Sequence, residues 1–102
     1  MFRVTLVCSG LPPETGENAA TDIAREFADH RKWQNRVTCE WDGTRLILRA
    51  ENDFDKTGLA TLDEFGDCIS AYVSDPGDSQ IAIESVYELA SDDNADPDAS
   101  RI

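Results

Sequence analysis

The sequence predicts a single α+β domain of the ferredoxin-like class, a two-layer sandwich with two helices on one face of a four-stranded antiparallel sheet. Hydrophobic residues alternate with polar ones in four segments and recur at helical spacing in two others. The segments follow one another as strand, helix, strand, strand, helix, strand, which is the split βαβ (βαββαβ) plan. A length of 102 residues also suits one domain with one hydrophobic core.

A strand and a helix are predicted at the start of the chain. Residues 2–8 carry a hydrophobic side chain at every second position, and the Gly- and Pro-containing segment 9–13 ends this strand. The following helix is expected to begin at about Thr15 or Asn18 and to end near Trp33. Its hydrophobic stripe consists of Ala20, Ile23, Ala24 and Phe27.

A β-hairpin is predicted in the middle of the chain. Residues 36–41 and 44–51 are rich in β-branched, aromatic and aliphatic side chains. Between them stands Asp42-Gly43, a dipeptide that tolerates the positive φ angles of a type I′ turn. We therefore expect two adjacent antiparallel strands joined by a tight turn of this type.

A second helix and a last strand complete the plan. The helix is expected to begin near Asp55 or Thr57, and the Asp- and Gly-containing turn 75–78 separates it from a strand over residues 80–89. Its hydrophobic stripe consists of Leu59, Leu62, Phe65, Ile69, Tyr72 and Val73.

The composition is strongly acidic, with a formal net charge of −12 from 21 acidic and 9 basic side chains. We expect the domain to span residues 1–90 and residues 91–102, SDDNADPDASRI, to be a disordered acidic tail. Binding to phosphate backbones depends on Lys and Arg, so the charge argues against direct contact with nucleic acid and with anionic membranes. No segment reaches transmembrane length.

The cysteines indicate a reducing environment. Cys8, Cys39 and Cys68 are odd in number, show no C-x-x-C spacing and lie within hydrophobic segments. They are therefore expected to be small core residues rather than a disulfide framework, which predicts a cytoplasmic protein.

Strand alternation assigns side chains to the two faces of the sheet. The core face is expected to carry Phe2, Val4, Leu6, Val37, Cys39, Trp41, Leu46, Leu48, Ile81 and Ile83, or their immediate neighbours. The open face is expected to carry Arg3, Thr5, Arg36, Thr38, Glu40, Arg45, Ile47, Arg49, Glu51, Ala82, Glu84, Val86 and Glu88.

Four of the nine basic residues fall on the open face, where they form a candidate surface for a partner or an anion. These are Arg3, Arg36, Arg45 and Arg49. The alternative is that cross-strand pairing with Glu40, Glu51 and Glu84 consumes their charges.

Residues 53–64, DFDKTGLATLDE, resemble the calcium loop of EF-hand proteins over all twelve positions. The resemblance implies a calcium site in which Gly58 permits the sharp turn. Its ligands would be Asp53, Asp55, Thr57, the Leu59 carbonyl and a bidentate Glu64. The alternative needs no metal, because Asp55 or Thr57 would cap the second helix.

The sequence contains no phosphate-binding loop, nucleophile elbow or zinc-ligand spacing, and its one histidine, His30, suits a helix end. We therefore expect a non-catalytic interaction or regulatory domain with a protein partner. It would act as an inhibitor or immunity-type protein or as a nucleic-acid mimic, and a homodimer through the open sheet face is one form of such an interaction. The alternatives are a small-ligand or calcium sensor, using the 53–64 loop or the sheet face, and a small enzyme of unidentified type.

Overall fold

A computed structural model describes residues 1–73 and 79–89. The chain forms six elements in the predicted order: β1 (Phe2–Ser9), α1 (Pro13–His30), β2 (Asn35–Trp41), β3 (Arg45–Asn52), α2 (Leu59–Tyr72) and β4 (Gln80–Glu88). The turn predicted at residues 75–78 and the tail predicted at residues 91–102 lie outside the described residues.

The four strands form one antiparallel sheet in the order β2-β3-β1-β4, so β1 and β3 are central and the other two are edge strands. Both helices pack on the same face of this sheet. The ferredoxin-like α+β prediction is therefore confirmed. No helix in residues 1–73 or 79–89 is long and apolar enough to cross a membrane.

The hydrophobic core lies between the sheet and the helices. It contains alternating residues of the two central strands and the inward stripe of each helix, which confirms the predicted core face for β1 and β3. The largest fully buried hydrophobic side chains are Val4, Leu6, Ile23, Phe27, Leu46, Leu48, Phe65 and Val73. Burial of one such side chain contributes about 1.5–3 kcal/mol.

Both helices differ from their predicted bounds at the start. Helix α1 begins at Pro13, earlier than expected, because a proline at the first helical position lacks only an N–H that has no intrahelical acceptor there. Helix α2 begins at Leu59, later than expected, after Gly58 in the left-handed conformation with φ 82°. Only glycine adopts that conformation without steric cost, so Gly58 fixes where α2 starts.

Strand β4 contains an irregularity that sequence alternation did not predict. Thr5 pairs with Ser85 whereas Leu6 pairs with Ile83, so one residue of β4 has no partner in β1. Beyond this bulge the two faces exchange. The assignment of Val86 to the open face was therefore wrong, because Val86 packs against the core. The next residue, Tyr87, pairs with Arg3 on the open face.

Strand β2 contains a second irregularity, close to its start. Asn35 pairs with Glu51 and Thr38 with Arg49, so two residues of β2 oppose one residue of β3. One of the two is Arg36, the one residue with a side chain that has a positive φ, 50°, in the described part of the chain. This conformation costs an L-residue roughly 1–2 kcal/mol, so the surrounding structure must hold Arg36 in place.

The hairpin is confirmed, but its turn is not of type I′. That turn needs positive φ at both central residues, and of Asp42, Gly43 and Thr44 only Gly43 has it. A hydrogen bond from the Asp42 N–H to the Arg45 carbonyl closes the turn around Gly43 and Thr44. The Asp42 carboxylate instead accepts hydrogen bonds from the backbone N–H groups of Thr44, at 2.9 Å, and Arg45, at 2.7 Å. These bonds favour the charged carboxylate and lower the pKa of Asp42 to about 2.

A glycine determines how α1 packs on the edge of the sheet. Gly16 is buried, and a Cβ atom built there would overlap the ring of Trp41 on β2. The ring therefore occupies the space that any side chain at residue 16 would need.

We expect Gly16→Ala to lower the free energy of unfolding by about 1–3 kcal/mol, because the added methyl group forces the Trp41 ring out of its place. Chemical denaturation monitored by tryptophan fluorescence measures the effect. The matched control is Asn18→Ala at an exposed position of the same helix, which should change stability by less than about 0.5 kcal/mol. Equal effects of the two substitutions would contradict the packing described.

The hairpin turn should be sensitive to acid. Because the pKa of Asp42 is lowered to about 2, its contribution is complete above the ordinary Asp pKa of about 3.9 and is lost as the pH falls through 2. NMR titration of the Asp42 carboxyl carbon should give a midpoint near 2, and the Thr44 amide signal should move with it. A midpoint near 4 would show that the two backbone hydrogen bonds do not form in solution.

Candidate functional site

The loop that resembles a calcium site is held together by hydrogen bonds to its own backbone. The buried Asp55 carboxylate accepts from the backbone N–H groups of Ala60, at 3.2 Å, and Thr61, at 2.7 Å, in the first turn of α2. The Thr57 hydroxyl accepts from the Leu59 N–H at 3.3 Å. Both residues therefore do what the capping alternative predicted.

Glu64, the last residue of that loop, contacts the connection between α1 and β2. Its Oε1 accepts from Gln34 Nε2 at 3.0 Å, and its Oε2 accepts from Trp33 Nε1 at 2.6 Å. Glu64 thus ties α2 to this connection. Trp33 as a whole remains half exposed.

A buried polar junction lies between these two carboxylates. Asn52, which is fully buried, donates to Gln34 Oε1 at 2.9 Å and to Thr61 Oγ1 at 3.3 Å, and accepts from the Asp55 N–H at 2.7 Å. Gln34 also donates to Thr61 Oγ1 at 3.1 Å. The polar junction, defined as Gln34, Asn52, Asp55 and Thr61, joins the end of β3, the start of α2 and the α1–β2 connection.

Two of the five predicted calcium ligands, Asp55 and Glu64, have hydrogen-bond donors within the described structure. Asp53 is exposed, whereas every carboxylate oxygen of Asp55 and Glu64 accepts a hydrogen bond. Among residues 1–73 and 79–89, no group of three or more His, Cys, Asp or Glu side chains is arranged to hold a metal ion. The calcium site stays a prediction from the sequence, whereas the capping hydrogen bonds are observed.

The thiols and the histidine occupy the places that their sequence context indicated. Burial raises the pKa of the Cys39 thiol to about 12, and burial also raises the pKa values of Cys8 and Cys68. All three thiols are therefore protonated at neutral pH, where they are poor nucleophiles. His30 lies in the last turn of α1 and its exposed ring is 3.0 Å from the Glu26 carboxylate.

The four arginines of the candidate surface each have a carboxylate nearby. Arg3 donates from Nε and Nη2 to Oε2 of Glu51, at 3.1 and 3.0 Å, and Arg36 Nε lies 3.7 Å from the other oxygen of Glu51. The remaining pairs are Arg49 with Glu40, at 3.8 Å, and Arg45 with Asp42, at 3.4 Å. Cross-strand pairing therefore occurs, although the Asp42 partner was not predicted.

Three of these arginines line a concavity on the open sheet face, with a volume of about 470 Å³. Arg45 does not belong to it. We call it the arginine concavity, and its lining consists of Arg3, Thr5, Arg36, Thr38, Arg49, Ala50, Glu51 and Tyr87. Tyr87 is 62% exposed and was missed from the sequence, because the bulge in β4 had to be known to place it there. The homodimer expected through this face stays a prediction.

A second concave surface lies between α2 and β4, with a volume of about 500 Å³. We call it the α2–β4 groove. Its lining combines hydrophobic side chains, two carboxylates and two hydroxyls: Leu62, Asp63, Gly66, Asp67, Ile69, Ser70, Ser79 and Ile81. Neither Asp63 nor Asp67 forms a salt bridge with another described residue, and α2 itself contains no basic residue.

Gly66 opens the α2–β4 groove from the middle of α2. It has neither the positive φ of Gly58 nor the close contact of Gly16, since a Cβ built at Gly66 meets only Ile81, at 3.9 Å. A helix-interior glycine destabilises a helix by roughly 1 kcal/mol relative to alanine. The missing side chain leaves space in the groove and has no other structural consequence that we can identify.

No protein-family model, no curated protein and no solved structure matches this chain. The features of the molecule that bear on function are the two concave surfaces and the distribution of charge.

We expect Asp55→Ala to lower the free energy of unfolding by about 1–2 kcal/mol, because two N–H groups of α2 lose their acceptor. Chemical denaturation in the presence of a chelator measures the change. Asp53→Ala, at an exposed position of the same loop, is the control and should have little effect.

In calcium the free energy of unfolding of the wild-type chain should stay the same, because the carboxylate oxygens of Asp55 and Glu64 already accept hydrogen bonds. A saturable stabilisation by calcium that Asp53→Ala abolishes would contradict this expectation.

Proposed function

We propose that the protein is a non-catalytic interaction domain that binds a basic, amphipathic segment of a partner protein in the α2–β4 groove. The observation that carries the proposal is the groove itself, in which a hydrophobic floor is bordered by carboxylates that have no partner among the described residues. Hydrophobic area supplies affinity in such surfaces, and complementary charge supplies orientation and association rate.

The floor determines what kind of segment fits. Leu62 and Ile81 are partly exposed aliphatic side chains above the buried Ile69, so a partner gains affinity by placing its own hydrophobic side chains against them. Asp63 and Asp67 are one helical turn apart on α2 and both are exposed. Lys or Arg side chains flanking the hydrophobic residues of the partner would pair with these two carboxylates.

The charge of the helical layer supports a basic partner. Acidic residues dominate both helices, and Arg25 is the one basic residue there besides His30. The acidic set is Glu14, Glu17, Asp22, Glu26, Asp29, Asp63, Glu64 and Asp67. Such a surface attracts a cationic partner over distances of about the Debye length, which is roughly 8 Å at physiological salt.

The glycine at residue 66 is evidence that the α2–β4 groove is a binding site. The glycine removes helix stability and leaves open the space beside Ile81. Residues that lower stability and have no structural role are expected at binding sites, where function and stability compete. A hydrophobic floor also favours a protein partner over simple mimicry of nucleic acid, which requires only surface charge.

We expect Gly66→Ala to raise the free energy of unfolding by about 0.5–1 kcal/mol and Gly66→Leu to weaken partner binding at least tenfold, because leucine fills the groove. Affinity capture with the wild-type chain, from a lysate of the cells that make it, would identify the partner. Calorimetry with the isolated partner then gives the affinity of each variant.

Two further variants separate the groove from the rest of the molecule. Ala60→Leu adds the same side chain at an exposed position of α2 outside the groove and should bind as the wild type does. The pair Asp63→Asn and Asp67→Asn should weaken binding, more so at low salt. A partner that binds the wild-type and Gly66→Leu chains equally well would overturn the proposed site, and the absence of any specific partner would overturn the proposed function.

A further inference from the structure

The arginine concavity is shaped by both irregularities of the sheet. The bulge in β2 contains Arg36, and the bulge in β4 turns Tyr87 to the open face beside Arg3. Without the second bulge Val86 would occupy that face, as simple alternation predicts. Bulges re-aim side chains and are common beside binding sites. Here two of them direct side chains into one concavity.

The backbone at Arg36 is strained in the same place. Its φ of 50° is unfavourable for any residue with a side chain other than Asn or Asp. Strain of this kind persists where the surrounding structure holds it, and such positions cluster at ligand sites. Arg36 lines the arginine concavity, and its Nε lies 3.7 Å from the Glu51 carboxylate.

The lining carries more positive than negative charge. Three guanidinium groups and one carboxylate line the concavity, and Glu51 is shared between Arg3 and Arg36. Arg49 lies 3.8 Å from its partner Glu40. Glu40 is not part of the lining, and its side chain is largely exposed to solvent. An exposed pair of this length contributes little, so Arg49 is available to a ligand.

Neutral donors and an aromatic ring complete the lining. The hydroxyl groups of Thr5, Thr38 and Tyr87 can donate hydrogen bonds to an anion. Tyr87 is 62% exposed and pairs with Arg3. A volume of about 470 Å³ is within the range of pockets that hold small molecules. The concavity therefore offers guanidinium forks, hydroxyls and one flat hydrophobic surface.

We propose that the arginine concavity binds a small organic phosphate monoester. The phosphate dianion takes up the surplus positive charge of the lining, because planar guanidinium groups match phosphate oxygens in pairs. An aromatic or heterocyclic part of the ligand stacks on Tyr87. A nucleic-acid strand does not suit the site, since its many phosphates would meet the repulsion of a molecule with net charge −12.

NMR titration of the full-length protein tests the proposal, with phenyl phosphate and inorganic phosphate as probes at constant ionic strength. Saturable shifts should appear at the Nε–Hε groups of Arg3, Arg36 and Arg49 and at the Tyr87 amide. Phenyl phosphate should bind more tightly than inorganic phosphate because only it carries a ring. Arg49→Gln should weaken phenyl phosphate binding about tenfold.

The matched control is Arg25→Gln, which removes the same charge from an exposed position of α1 and should leave the affinity unchanged. Tyr87→Ala should reduce the affinity for phenyl phosphate to that for inorganic phosphate. Benzoate binding as tightly as phenyl phosphate would overturn the assignment to a dianion. Shifts that fail to saturate, or that include Arg25 equally, would overturn the site itself. None of these results bears on the α2–β4 groove, which lies on the other side of the sheet.

Discussion

The polar junction is the constraint on which the rest of the structure depends. Asn52 is fully buried, and an unpaired amide there would cost about 1–3 kcal/mol, so the junction forms completely or the fold is destabilised. Its hydrogen bonds hold the end of β3 against the start of α2. The preceding residue of β3, Glu51, points to the opposite face, where it holds two arginines. One junction therefore fixes both the helix that borders the α2–β4 groove and the carboxylate at the centre of the arginine concavity.

Hydrophobic periodicity was sufficient to predict all six elements and their order, because a residue's burial in this fold follows directly from the face of the strand or helix it occupies. The details that failed depend on single backbone angles or unpaired residues. The turn at Asp42 was predicted as type I′ from its residue types. In the structure the Asp42 carboxylate instead stabilises the turn by accepting hydrogen bonds from the backbone N–H groups of Thr44 and Arg45. The exchange of Val86 and Tyr87 could not be read from the sequence, because a bulge leaves no mark in an alternating pattern.

The candidate sites show the same division. Alternation predicted Arg3 and Arg49 on one face, and Arg36 joins them there although it lies in the bulge of β2. The pairing of these arginines with glutamates on neighbouring strands was also predicted. The groove was missed because the role of Gly66 depends on which element packs beside it. The two surfaces also differ in sign. The sheet separates a helical layer rich in carboxylates from a concavity lined by arginines. Negative charge is therefore concentrated on one side of the sheet and positive charge on the other.

The position of β1 has a consequence for how the chain assembles. β1 precedes the other described strands in the chain but lies in the interior of the sheet, where it pairs with β3 and with β4, the last strand described. During synthesis both edges of β1 stay without their partners until much of the chain has left the ribosome. Such a high contact order slows folding and exposes strand edges to association with other chains. The arginine concavity takes lining residues from all four strands, so it is complete only when every strand has paired.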